Sequence, residues 1–158
     1  MARAGLIVRE GLLFGFLAGV FALVVRIVAV LATSDLTPTM LSNFVTPALG
    51  ALIIGGAGRK LAATTRESTP GLQMGALAGG ISELFRTVVA DIFLSYLPAG
   101  RAAFNHLTPT EKAAAADTSK LILNLGLELA LAVLFGALIG WLGAWSLLQF
   151  RPPRQPPA

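Results

Sequence analysis

The chain of 158 residues and 16.4 kDa has the length of one domain. It is 55% hydrophobic and 13% charged, with a mean hydropathy of +0.76. Soluble domains carry about 25% charged residues, so the composition argues against a soluble domain and, away from the termini, against disorder. With no cysteine, disulfides, thiolate metal sites and cysteine catalysis are excluded, and the single histidine, His106, cannot build a metal site alone.

An all-α integral membrane protein remains, and four apolar stretches are long enough to cross about 30 Å of hydrocarbon at about 20 residues each. The first, residues 11–33, holds Arg26 as its one charge. Basic residues precede it, as in a secretory signal, but its length, Arg26 and a counterpart later in the chain mark it as a retained helix. The second, residues 36–58, is uncharged; Thr37-Pro38 would start it and Pro47 would kink it. The third, residues 70–97, contains Glu83, Arg86 and Asp91. After it, Thr108 as N-cap, Pro109 at the first helical position and Glu111 closing a capping box predict a short outer helix over residues 109–116. The fourth, residues 121–150, holds Glu128 as its one charge, and the proline-rich tail 151–158 should be loose.

Orientation follows from the basic residues between spans. Arg3, Arg9, Arg59, Lys60, Arg66, Arg151 and Arg154 fall on one side, and Arg101, Lys112 and Lys120 on the other. The excess places both termini in the cytoplasm, in a cell inner membrane. The basic pI of 10.4 then reflects anchoring among anionic headgroups, and these scattered cations form no nucleic-acid surface.

The spans repeat. Gly15-Phe16-Leu17-Ala18-Gly19 and Arg26 in the first answer to Gly75-Ala76-Leu77-Ala78-Gly79 and Arg86 in the third, at a constant offset of 60. Leu36-Thr37-Pro38-Thr39 answers to Leu107-Thr108-Pro109-Thr110, and Gly50-Ala51-Leu52-Ile53 to Gly136-Ala137-Leu138-Ile139. The expected architecture is a four-helix transmembrane bundle of two parallel helical hairpins, residues 11–58 and 70–150, related about the membrane normal. Chance likeness among spans rich in glycine, alanine and leucine is the plainer alternative.

Gly15/Gly19, Gly75/Gly79 and Gly136/Gly140 are GxxxG pairs, and Ala51/Gly55 is their small-residue equivalent. Between lipid-embedded helices, close backbone approach replaces the hydrophobic effect as the source of association. Packing within the chain is the ordinary use of such faces, and a seam between copies the special one.

The embedded charges are the candidate polar site: Arg26, Glu83, Arg86 and Glu128, with Asn124 one turn above Glu128. At about 1.5 Å per residue, Arg26, Arg86 and Glu128 all fall about 20–22 Å from the inner boundary. Both arginines share the glycine faces of their helices and should point inward, where a charge must be paired or wet. Salt bridges that fix helix register are one reading, and a polar path or ligand pocket the other. Tyr96, Trp141, Trp145 and Phe150 stand where an interfacial aromatic belt would.

There is no Ser-His-Asp order, no HExxH and no paired histidine, so no catalysis, metal or cofactor is expected, and His106 reads as a loop residue. The expectation is a non-enzymatic membrane subunit in the lipid bilayer, packed through its glycine faces into a homo-oligomer or against other membrane subunits. The alternative is a small oligomeric transporter or channel using the Arg/Glu cluster.

Overall fold

The computed structural model describes residues 2–33 and 44–150, and the described residues are helical with no strand among them. Two helices of 32 residues, α1 (Ala2–Thr33) and α7 (Thr118–Gln149), contain stretches long and apolar enough to cross a membrane. Between them lie α2 (Thr46–Thr65), α3 (Thr69–Leu84), a π turn (Phe85–Val89), α4 (Ala90–Tyr96), α5 (Pro98–His106) and α6 (Pro109–Ala116). The chain from Thr69 to Tyr96 is one helical rod of 28 residues broken only by the widened π turn.

Several helix ends differ from the sequence expectation, each for a local reason. α1 begins at Ala2, nine residues before the apolar stretch, and its early Leu6 and Ile7 pack on the core. α2 runs through Gly55, Gly56 and Gly58 and past Arg59 and Lys60 to Thr65. It ends where Arg66 takes a left-handed conformation (φ 59°) and its N–H bonds the Ala62 carbonyl at 2.8 Å. Pro47 sits in the first turn of α2, where its missing N–H is harmless, rather than kinking a span. The residues 98–106, expected as loop, form α5: Leu97, held extended before a proline, starts a helix with Pro98 in its first turn. His106 is therefore the last residue of a helix. α6 occupies the residues of the capping signal, with the Lys112 N–H bonded to the Thr108 carbonyl at 2.9 Å. The LTPT segment at 36–39 and the tail 151–158 lie outside the described residues.

α3 is the central helix. α7 packs along one side of it and α1 along another, and α2 touches all three. The positions opposite each glycine set the directions. A side chain on Gly11, Gly15 or Gly19 would meet Leu77, Ala78 and Phe85 in turn, so α1 and α3 run parallel. Gly71, Gly75 and Gly79 meet Ala144, Gly136 and Ala132 in turn, so α3 and α7 run antiparallel. Arg3 reaches Glu67 at 2.7 Å, which brings the start of α1 to the α2–α3 connection.

The interior is built from small residues. Ala18, Ala22, Ala57, Ala62, Ala78, Ala90 and Ala144 are buried, with Ile54, Leu61, Met74 and Leu94 as the larger members. The outside carries Leu12, Phe16, Val24, Leu52, Leu123, Leu127, Leu134 and Phe135, each at least half exposed. A water-soluble fold places large hydrophobes inside, because their burial stabilises most. Here the arrangement is inverted.

Candidate functional site

The polar site is assembled at the π turn. Arg86 lies in that turn and donates from Nε to Oε2 of Glu83 at 3.0 Å, with a second bond from Nη2 to Oε1. The fork-to-carboxylate pairing fixes both groups, and three residues of separation on one helix make it geometrically natural. Nη2 of Arg86 also faces Oε2 of Glu128 on α7 at 3.5 Å. Glu83 is the sheltered partner, with 11% of its side chain exposed, against 40% for Arg86 and 49% for Glu128.

Arg26 enters from α1. Its Nη1 donates to the backbone carbonyl of Arg86 at 3.3 Å. The π turn explains why that carbonyl accepts. In an α-helix the Arg86 carbonyl would take the N–H of Ala90, but that N–H is bonded to the carbonyls of Phe85 and Thr87. The guanidinium of Arg26 therefore supplies a donor where the helix ladder has shifted. One turn earlier, Thr87 Oγ1 bonds the Glu83 carbonyl at 2.8 Å. Such π turns recur at functional positions in helices.

Each glycine pair and its arginine address the same neighbour. Gly15, Gly19 and Arg26 of α1 all face α3 and the π turn that continues it, whereas Gly75 and Gly79 of α3 and Arg86 of the π turn all face α7. At Gly15 the opposing group is the Ala78 backbone with Ile81, and at Gly19 it is the Phe85 side chain, which also meets Phe16 edge-on at 5.2 Å. Gly75 and Gly79 meet bare backbone at Gly136, Gly140 and Ala132. Gly55 lies against Ile139 and Gly143, while Ala51 is half-buried.

Of the five polar candidates, Glu83, Arg86 and Glu128 form one ion cluster and Arg26 binds the backbone inside it. Asn124 stands exposed on α7.

A second ion cluster was not singled out in the sequence. Glu10 is 4% exposed, and its carboxylate accepts from Arg9 at 2.8 Å and from Lys60 at 2.9 Å. The Lys60 ammonium also lies 5.4 Å from the centre of the Phe14 ring. This cluster ties α1 to the end of α2. Its signal was present: Glu10 immediately precedes the first apolar stretch and the oppositely charged Lys60 follows the second, so an up-and-down pair of helices brings them to one end.

Comparison with known protein families, with curated proteins and with solved structures finds no match for this chain.

Proposed function

We propose that the chain is a four-span membrane protein of the inner membrane, with both termini cytoplasmic, acting as a non-enzymatic subunit held by glycine-rich helix faces in a homo-oligomer or against other membrane subunits. The observation that carries this reading is the inverted packing: glycine and alanine inside, leucine and phenylalanine outside. In α7, 6% of the most apolar 18-residue stretch is buried, which no water-soluble core helix would tolerate. The α3 rod and α2 complete the set of spans, and in each ion cluster one carboxylate, Glu83 or Glu10, is sheltered between helices. Two tandem hairpins remain the reading of the matched glycine and arginine motifs, with the two halves diverged in how they pack.

Two measurements test the proposal. The chain has no cysteine, so single cysteines at Ala63 and Ala102 report cleanly. In intact cells an impermeant thiol reagent should label the cysteine at 102 and spare the one at 63; the reverse pattern overturns the orientation. Purification in mild detergent should then yield a mass above that of one chain, from copies or co-purifying subunits. A lone monomer overturns the subunit reading.

A transport reading has one observation in its favour. Half of the Glu128 side chain and two fifths of the Arg86 side chain remain exposed, so the cluster is open on one flank. A closed homo-oligomer that turns this flank toward a shared axis, and loses flux in E128Q, would favour it.

A further inference from the structure

We propose that the open groove between α1 and α3 holds one acyl chain of an anionic phospholipid, with its phosphate on the Arg9 guanidinium. The assignment rests on the membrane reading above. The groove has a volume of about 650 Å³ and is lined on α1 by Arg9, Leu12 and Phe16, on α3 by Ile81 and Leu84, and by Phe85 of the π turn. Its walls are apolar except at the Arg9 end.

Length, charge and chemistry agree on the occupant. The groove runs along α1 from Arg9 to Phe16, with the Phe85 ring against its far end. Seven residues of helix at about 1.5 Å each make about 10 Å, two thirds of one leaflet of a hydrocarbon core of about 30 Å. The edge-on contact of Phe16 with Phe85 lies at the far end of that path. A chain lying in the groove would therefore set its headgroup beside Arg9, at the membrane surface.

Arg9 suits an anionic headgroup. Its side chain is 71% exposed and gives Nη2 to Glu10, and a guanidinium has further donors to offer a phosphate in a two-pronged bond. The local charge is favourable as well. Arg9 and Lys60 share a single carboxylate, Glu10, which is buried, so the cluster keeps one positive charge at its surface. A zwitterionic headgroup carries the same phosphate but also an ammonium that this charge repels, so the anionic lipid is favoured.

Native mass spectrometry of the full chain in detergent tests this, with phosphatidylglycerol and phosphatidylcholine of identical acyl chains as probes. The wild type should retain phosphatidylglycerol in preference to phosphatidylcholine by roughly fivefold, the effect of one cation at a membrane surface. R9Q should lose that preference, R9K should keep most of it, and L12W should fill the groove and lose both adducts. R59Q, a cation at the same end but outside the groove, should leave the preference unchanged. Equal retention of the two lipids by the wild type overturns the proposal. So does an equal loss in R59Q and R9Q, which would mark diffuse surface charge. Flotation with neutral vesicles separates the two ideas: a wild-type chain that floats without lipid preference overturns the groove alone, and one that does not float overturns the membrane reading with it.

Discussion

The contact of α3 with α7 makes opposite predictions for two glycines on the same helix. At Gly136 an added methyl would lie 2.9 Å from the Gly79 Cα and closer still to the Gly75 carbonyl oxygen. Carbon atoms rest comfortably about 3.5–4.0 Å apart, so α3 and α7 would have to part by about 1 Å along their tightest contact. The obstacles are backbone, which cannot rotate aside, so G136A should cost about 1–3 kcal/mol as an overpacked site. At Gly126 nothing lies within 4 Å. There the helix preference for alanine acts alone, and G126A should gain up to about 1 kcal/mol. Unfolding of each variant in detergent, followed by helical circular dichroism, measures both. If G136A is as stable as the wild type, or if the two substitutions shift stability in the same direction, the glycine contact does not hold these helices together.

Three further outcomes follow from particular contacts. R86L leaves Glu83 sheltered without its partner and should cost about 2–3 kcal/mol, below the 3–5 kcal/mol of a wholly buried pair because Arg86 is 40% exposed; adding E83M should recover most of it in the same unfolding assay. E10Q removes the charge that two cations share and turns one accepting oxygen into a donor, and should cost about 1–3 kcal/mol, while K60Q, which leaves Arg9 on Glu10, should cost less. Arg66 occupies a left-handed position at the end of α2 where a side chain is disfavoured by about 1–2 kcal/mol, so R66G should raise the unfolding midpoint.

The helices were legible because apolar runs without breakers have few other solutions. Their ends were not, because hydropathy measures what lipid would tolerate, whereas hydrogen bonding and packing decide where a helix stops. Gly55, Gly56 and Gly58 look like a terminus in sequence, yet α2 passes straight through them. Gly55 and Gly58 lie where α7 crosses, facing Gly140 and Gly143, so a weak local preference yields to a close contact. The polar candidates were legible through depth, since 1.5 Å per residue levels charges on different helices. The π turn was invisible, because no residue pattern in Phe85–Val89 announces an extra residue in a turn. Glu10 was hidden because it lies just outside an apolar stretch, where a charge in sequence demands no partner.

The π turn and the arginines are best understood together. Arg26 and Arg86 each stand seven residues past a glycine pair, and Arg86 pairs with Glu83 and Glu128. Arg26 donates to a main-chain carbonyl whose usual donor, the Ala90 N–H, is bonded elsewhere. Straightening the turn would return that N–H to the Arg86 carbonyl and leave Arg26 competing for it. Removing Arg26 would deprive the widened turn of one of its donors. The two features therefore support each other, and R26M should shift the 85–89 segment toward a regular α-helix. Such a shift would rotate the following α4 by about 100°, the angle of one residue. It would turn Leu94, now fully buried, away from its packing site. Amide hydrogen exchange along residues 85–96 reads this directly: faster exchange confined to that segment in R26M is the expected result, and an unchanged pattern would show that the turn holds its shape without the arginine.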